Sequence, residues 1–229
     1  MGLAEGCNID SDCDDDLICG FRRCHVQCSA KNPLVDAAES VVWNGGPGPV
    51  GTRRMALAVG PKSALVAYPH SGGGWWRFRA VLLDQDLGKV LAGPIDFPLI
   101  YSQPRGVSVA HRGTSFVVAM SDQSTTVLVS RLHELTGETL GSTTVANPVS
   151  HGDPQLVTTP TGVMLGLSRG TSVGFGWAPE DVTKGGFAMR DVYSTRTASA
   201  AAPVAIDARR AVIAWQDGAV KIAPLVCGP

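Results

Sequence analysis

Hydrophobic and polar residues alternate in short bursts along most of this chain, and no stretch carries the three-to-four spacing of an amphipathic helix. Arg77-Phe78-Arg79-Ala80-Val81 and Val127-Leu128-Val129-Ser130-Arg131-Leu132 show the period-two pattern of half-exposed strands. Denser apolar segments recur: Leu65-Val66-Ala67-Tyr68, Val117-Val118-Ala119-Met120, Met164-Leu165-Gly166-Leu167 and Val212-Ile213-Ala214-Trp215, whose starts lie 52, 47 and 48 residues apart. A period in the forties is that of propeller blades or a similar array. Each copy follows a short predicted strand (55–59, 106–110, 154–158, 203–207) and a turn, and precedes a polar hairpin and a third strand (76–83, 126–132, 173–178, 219–225). A fourth strand is predicted in the first three copies only (89–97, 139–146, 186–193), and four strands per repeat make a propeller blade.

The last copy stops after its third strand, near Cys227. Val41-Val42-Trp43 lies before the first complete copy and is expected to supply the missing strand. The expected fold is therefore all-β: a four-bladed β-propeller of about 48-residue repeats over residues 35–229, with residues 35–54 giving the closing strand. With Ile213-Ala214-Trp215 as the clearest copy, the repeats resemble loosely defined β-propeller repeats of secreted bacterial proteins. The plan is also similar to hemopexin-type domains, which close a four-bladed ring with a terminal disulfide. The repeat residues do not match that family's motif, so the likeness implies no function.

Composition agrees with many short strands. Charged residues are 17% of the chain, against about 25% in typical globular proteins, while 27 glycines and 15 prolines supply turn residues. The net charge of −1 gives no basic field for nucleic acid. The charge is uneven, since residues 1–28 hold six acids against Arg22 and Arg23. That acidic head suits either a well-solvated small module or ligand steering. No apolar run reaches the roughly 18 residues of a membrane-spanning helix. The opening Met1-Gly2-Leu3-Ala4-Glu5-Gly6-Cys7 has no apolar signal region, so the chain reads as the mature part of an exported protein.

Cysteine usage strengthens the expectation of export to an extracellular or cell-surface location. Cys7, Cys13, Cys19, Cys24 and Cys28 cluster in a predicted disulfide-rich module over residues 1–34, and Cys227 stands alone near the other end. Zinc sites space their ligands in closer pairs, and His25 is isolated. Asp10, Asp12 and Asp14 alternate as in a calcium loop, but Asp15 and Phe21 stand where such a loop needs Gly and Glu. Disulfides fit better, and they belong to oxidising compartments. Five clustered cysteines leave one over, so Cys227 is expected to bridge to the head, with Cys28 its expected partner. The chain-entropy model credits so long a loop with about 5 kcal/mol. Cys7-Asn8-Ile9-Asp10-Ser11-Asp12-Cys13 resembles short cysteine-rich modules of extracellular proteins.

Candidate chemistry is sparse. The histidines lack HExxH spacing, and no serine sits in a GxSxG elbow. Ser121-Asp122-Gln123-Ser124-Thr125 resembles the Asp-box turn of sialidases but lacks its glycine and tryptophan. The segment His70-Ser71-Gly72-Gly73-Gly74-Trp75-Trp76-Arg77 is the most suggestive. Its glycines mark a hairpin tip, and adjacent tryptophans on a strand face opposite ways, so one of Trp75 and Trp76 is expected outside the core. Beside Arg77 and His70 it would form a stacking platform for a sugar or peptide; alternatively it packs between blades. Trp43 and Trp215 are assigned to the core, and Trp177 to packing at a strand end.

The leading functional expectation is a non-catalytic binding or adhesion protein, with a protein or carbohydrate ligand at the cell surface and no cofactor, metal or nucleic acid. An assembly subunit docked through the cysteine head is one alternative. A hydrolase with its site in the central channel, marked by a cluster of titratable groups with displaced pKa values there, is the other.

Overall fold

A computed structural model describes residues 17–20, 23–26, 55–72, 75–85, 89–98, 104–122, 126–146, 153–169, 172–179, 181–182, 186–194, 201–206, 210–216 and 220–226. The chain is all-β. A two-stranded hairpin comes first, with β1 (Leu17–Gly20) antiparallel to β2 (Arg23–Val26) and Cys19 opposite Cys24 in register. Cys7, Cys13, Cys28 and Cys227, residues 35–54 and Trp43 lie outside the described residues, and with them the expected bridges and closing strand.

Four antiparallel sheets follow in chain order. The first joins β3 (Ala56–Val59), β4 (Ser63–Gly72), β5 (Trp75–Asp84) and β6 (Val90–Asp96). The second joins β7 (Pro104–Arg112), β8 (Ser115–Asp122), β9 (Thr126–His133) and β10 (Thr139–Ala146). The third joins β11 (Gln155–Thr159), β12 (Gly162–Ser168), β13 (Ser172–Ala178) and β14 (Ala188–Ser194). The fourth has three strands, β15 (Ala201–Ala205), β16 (Arg210–Gln216) and β17 (Val220–Val226). Each sheet is a meander in sequence order, and the predicted strands fall on these elements with ends displaced by a few residues.

The sheets pack face to face in succession, because each interior strand is apolar on both sides. Leu65, Ala67, Phe78 and Leu82 of the first sheet meet Val107, Phe116, Val118 and Leu132 of the second. The second sheet's other face sets Val117, Ala119, Val127 and Val129 against Val163, Leu165 and Leu167 of the third. Val173 then meets Ile213 and Trp215 of the fourth, so Trp215 is a core residue as expected. This explains why β8 and β12 are buried along almost their whole length: a strand covered on both faces needs a continuous apolar run. Trp177 lies next to the end of β13 and is 44% exposed, with its indole against Gly162, where a Cβ would meet it at 3.0 Å.

First strands approach one another, β3 with β7, β7 with β11 and β11 with β15, which is the arrangement of inner strands around a propeller axis. Gly166 of β12 permits a further approach, of β12 to β15, since a Cβ there would meet Pro203 Cδ at 2.6 Å. Gly113, at a φ of 58°, takes the left-handed conformation in the two-residue β7–β8 turn. Among the described residues, no strand of the first sheet packs along a strand of the fourth.

Candidate functional site

Strand register in the first sheet builds a polar row from residues distant in sequence. Tyr68 on β4 pairs with Arg79 on β5, and Arg79 pairs with Asp96 on β6. One step nearer the hairpin tip, His70 pairs with Arg77. A bulge in β6 sets the last member, because the register shifts between Ala80 and Leu82. Gly93 sits in that bulge at a φ of 134°, and a Cβ there would press on the Ala80 carbonyl oxygen at 3.1 Å. Bulges of this kind re-aim the side chains beyond them.

Both guanidinium groups reach one carboxylate. Arg79 Nε donates to Asp96 Oδ1 at 2.6 Å, and Arg77 Nη1 donates to Oδ2 at 3.4 Å. The hydrogen bond from Arg79, followed by the charges of Arg79 and Arg77, holds the Asp96 carboxyl below its ordinary pKa; burial opposes this. Burial lowers the His70 pKa, helped by the neighbouring Arg79 and Arg77 charges and opposed by Asp96. Burial raises the Tyr68 pKa, with Asp96 adding to the effect and Arg79 opposing it. At neutral pH the row therefore presents a carboxylate, a neutral imidazole and a phenol. The Tyr68 hydroxyl and Arg77 Nε are buried without a hydrogen-bond partner, which leaves two donors available to an incoming acceptor.

Among the described residues, the three titratable groups with clearly displaced pKa values all belong to this cluster. Sequence reasoning had singled out His70 and Arg77, and the structure brings them together. Trp76 stands opposite Ser71 and is half-buried, on the strand face it shares with Phe78 and Ala80 rather than with Arg77. Trp75 is a strand residue opposite Gly72, and its side chain is not among the described ones. Tyr68, Arg79 and Asp96 were missed. Their signal was the register itself, since the three align only once β4, β5 and β6 are paired.

A second ionic group lies at the opposite end of the sheets. Glu134, in the turn after β9, accepts from Lys62 Nζ at 3.3 Å through Oε1, and its Oε2 lies 3.1 Å from His111 Nε2. Its main-chain carbonyl accepts from Ser63 Oγ, and the His111 ring meets Phe116 edge-on at 4.9 Å. Both carboxylate oxygens are occupied by neighbours within the fold, so this group ties the first sheet to the second. Among the described residues no group of three or more His, Cys, Asp or Glu side chains could hold a metal ion. No helix there is long and apolar enough to cross a membrane.

No protein-family model matches the chain, and no curated protein matches it. Solved structures with a similar fold include an α-L-arabinofuranosidase from Podospora anserina in complex with cellotriose. It is 9% identical with a TM-score of 0.45, and the match covers 80% of this chain and 65% of that one. An endo-arabinanase from Bacillus licheniformis is 12% identical with a TM-score of 0.41, the match covering 74% of this chain and 72% of that one. This chain spans about two thirds of the arabinofuranosidase's length. The expectation of a non-catalytic binding or adhesion protein is corrected at this point. Both solved structures are glycosidases; the displaced titratable groups gather across β4, β5 and β6 of the first sheet, and nothing among the described residues places them in the central channel that the hydrolase alternative named.

Proposed function

We propose that the chain is an extracellular hydrolase acting on a glycan, with its site at the row formed by Tyr68, His70, Arg77, Arg79 and Asp96. The observation that carries this reading is the gathering of the three displaced titrations found among the described residues in one cluster that also holds two unpartnered buried donors. Neutral His70 takes the proton of the attacking water, a role that needs an imidazole uncharged at working pH. Tyr68 stays protonated and donates to the leaving oxygen. Arg77 offers its free Nε to a sugar oxygen, while Asp96 fixes the two guanidinium planes.

The test is reducing-sugar release from a panel of polysaccharides that begins with arabinan, comparing the wild type with His70→Gln. General base catalysis contributes about 10²- to 10⁴-fold, so the variant should lose at least about 100-fold. For the wild type, kcat/KM should fall on the acid side with an apparent pKa below the ordinary histidine value of 6.5, because protonated His70 cannot act as a base. Unchanged release by His70→Gln would remove His70 from the mechanism.

A further inference from the structure

The row across β4, β5 and β6 carries an unbalanced charge. Strand alternation sets Tyr68, His70, Arg77 and Arg79 on the face that Val66 and Val81 share, turned away from the second sheet. Asp96, opposite Arg79, joins them there. Among the described residues of the first sheet, the charged side chains on this face are Arg77, Arg79 and Asp96. His70 adds no charge at neutral pH, since burial and the two arginines lower its pKa. Two guanidinium groups thus share one carboxylate, and one positive charge is left over.

That excess falls on Arg77. Arg79 holds Asp96 at 2.6 Å, whereas Arg77 reaches it only at 3.4 Å. Arg77 Nε is buried without a hydrogen-bond partner, yet the side chain as a whole is 28% exposed, so a ligand can approach it from solvent. The apolar cluster of Ala64, Val66, Val81 and Leu83 continues along the same face, and a charge beside apolar surface is screened less than one in open water. A sugar hydroxyl would satisfy Nε and leave the charge standing. A carboxylate would answer both in one contact, and its planar pair of oxygens matches the edge of a guanidinium.

We propose that the glycan taken at this site is acidic, with a sugar carboxylate seated on Arg77. The inference rests on the hydrolase reading for the glycan and on the charge of the row for the carboxylate.

The test is calorimetric titration of the full chain at pH 7 with trigalacturonate and with its methyl ester, which differ chiefly in charge. Charge-assisted hydrogen bonds are about twice as strong as neutral ones, so the wild type should bind the acid about tenfold or more tighter than the ester. Arg77→Gln should bring the two affinities together. Asp96→Asn raises the excess to two charges and should tighten the acid by about threefold or more without tightening the ester; simple damage to the site would weaken both. Equal binding of acid and ester by the wild type, binding of neither, or weaker binding of the acid by Asp96→Asn overturns the proposal. Sugar release that shows no preference for acidic over neutral polysaccharides overturns this proposal alone. A preference for the acid in binding, with no release from any polysaccharide, supports the carboxylate seat and removes the hydrolase reading alone.

Discussion

Replacing Glu134 by Ala probes the junction of the first two sheets more severely than any surface change. The side chain is 2% exposed, and both carboxylate oxygens are engaged, by Lys62 at 3.3 Å and by His111 at 3.1 Å. Removing one partner of a fully buried ion pair costs about 3–5 kcal/mol, because the remaining charge is left without compensation. An exposed pair is worth at most about 1 kcal/mol. Lys62 is 43% exposed and can turn back into water, so the loss should fall between these limits, at about 2–3 kcal/mol. For a chain of this size that corresponds to a fall in Tm of about 5–10 °C. Urea unfolding of wild type, Glu134→Ala, Lys62→Met and the double variant measures it. A double-mutant cycle should return a coupling of about 0.5 kcal/mol or more between Lys62 and Glu134. The reasoning fails if Glu134→Ala stays within about 0.5 kcal/mol of wild type, since the bridge would then be worth no more than a surface pair.

Two further changes test other parts of the structure. Gly106→Ala places a Cβ 2.5 Å from Asp153 Oδ1 and 3.1 Å from Asp153 Cα; because part of that clash is with backbone, it should cost about 1–3 kcal/mol in urea unfolding, and a neutral result would show that the segment before β11 yields freely. Asp96 has its pKa depressed in the folded chain, so its contribution to stability is present above the ordinary value of 3.8 and is lost as pH falls through the lower folded value. Asp96→Asn should flatten the acid limb of a plot of Tm against pH, and an unaltered limb would contradict the assigned pairing with Arg79 and Arg77.

The strands were legible because the forces that place them act locally. Leu65 and Val117 face the following sheet and Leu165 and Ile213 the preceding one; their strands recur at nearly constant spacing because each is the second strand of its sheet, and burial writes that requirement into the sequence as apolar runs. Trp215 was legible for the same reason. The candidate site was only half legible. His70 and Arg77 stand close to a glycine-rich tip, and a hairpin brings them together whatever the rest of the sheet does. Tyr68, Arg79 and Asp96 depend on register across three strands. A one-residue slip in β6 would carry Asp96 to the opposite face, and the bulge at Gly93 that fixes the slip has no strong signature beyond a Gly-Pro pair. Glu134 was hidden differently. It sits in a polar turn, Glu134-Leu135-Thr136-Gly137, that reads as solvent-facing, and the approach of Lys62, Ser63 and His111 from elsewhere in the chain buries it.

The central claim, a hydrolytic site at the Tyr68–Asp96 row, is tested most directly by removing a single oxygen. Tyr68→Phe deletes the buried hydroxyl that has no partner within the fold, so folding should not suffer, while the donor to the leaving oxygen disappears. Reducing-sugar release from the polysaccharide panel should fall by about 100-fold or more, with circular dichroism and Tm unchanged or slightly raised. Absence of release by the wild-type chain from every polysaccharide tested, or equal release by Tyr68→Phe, would contradict it.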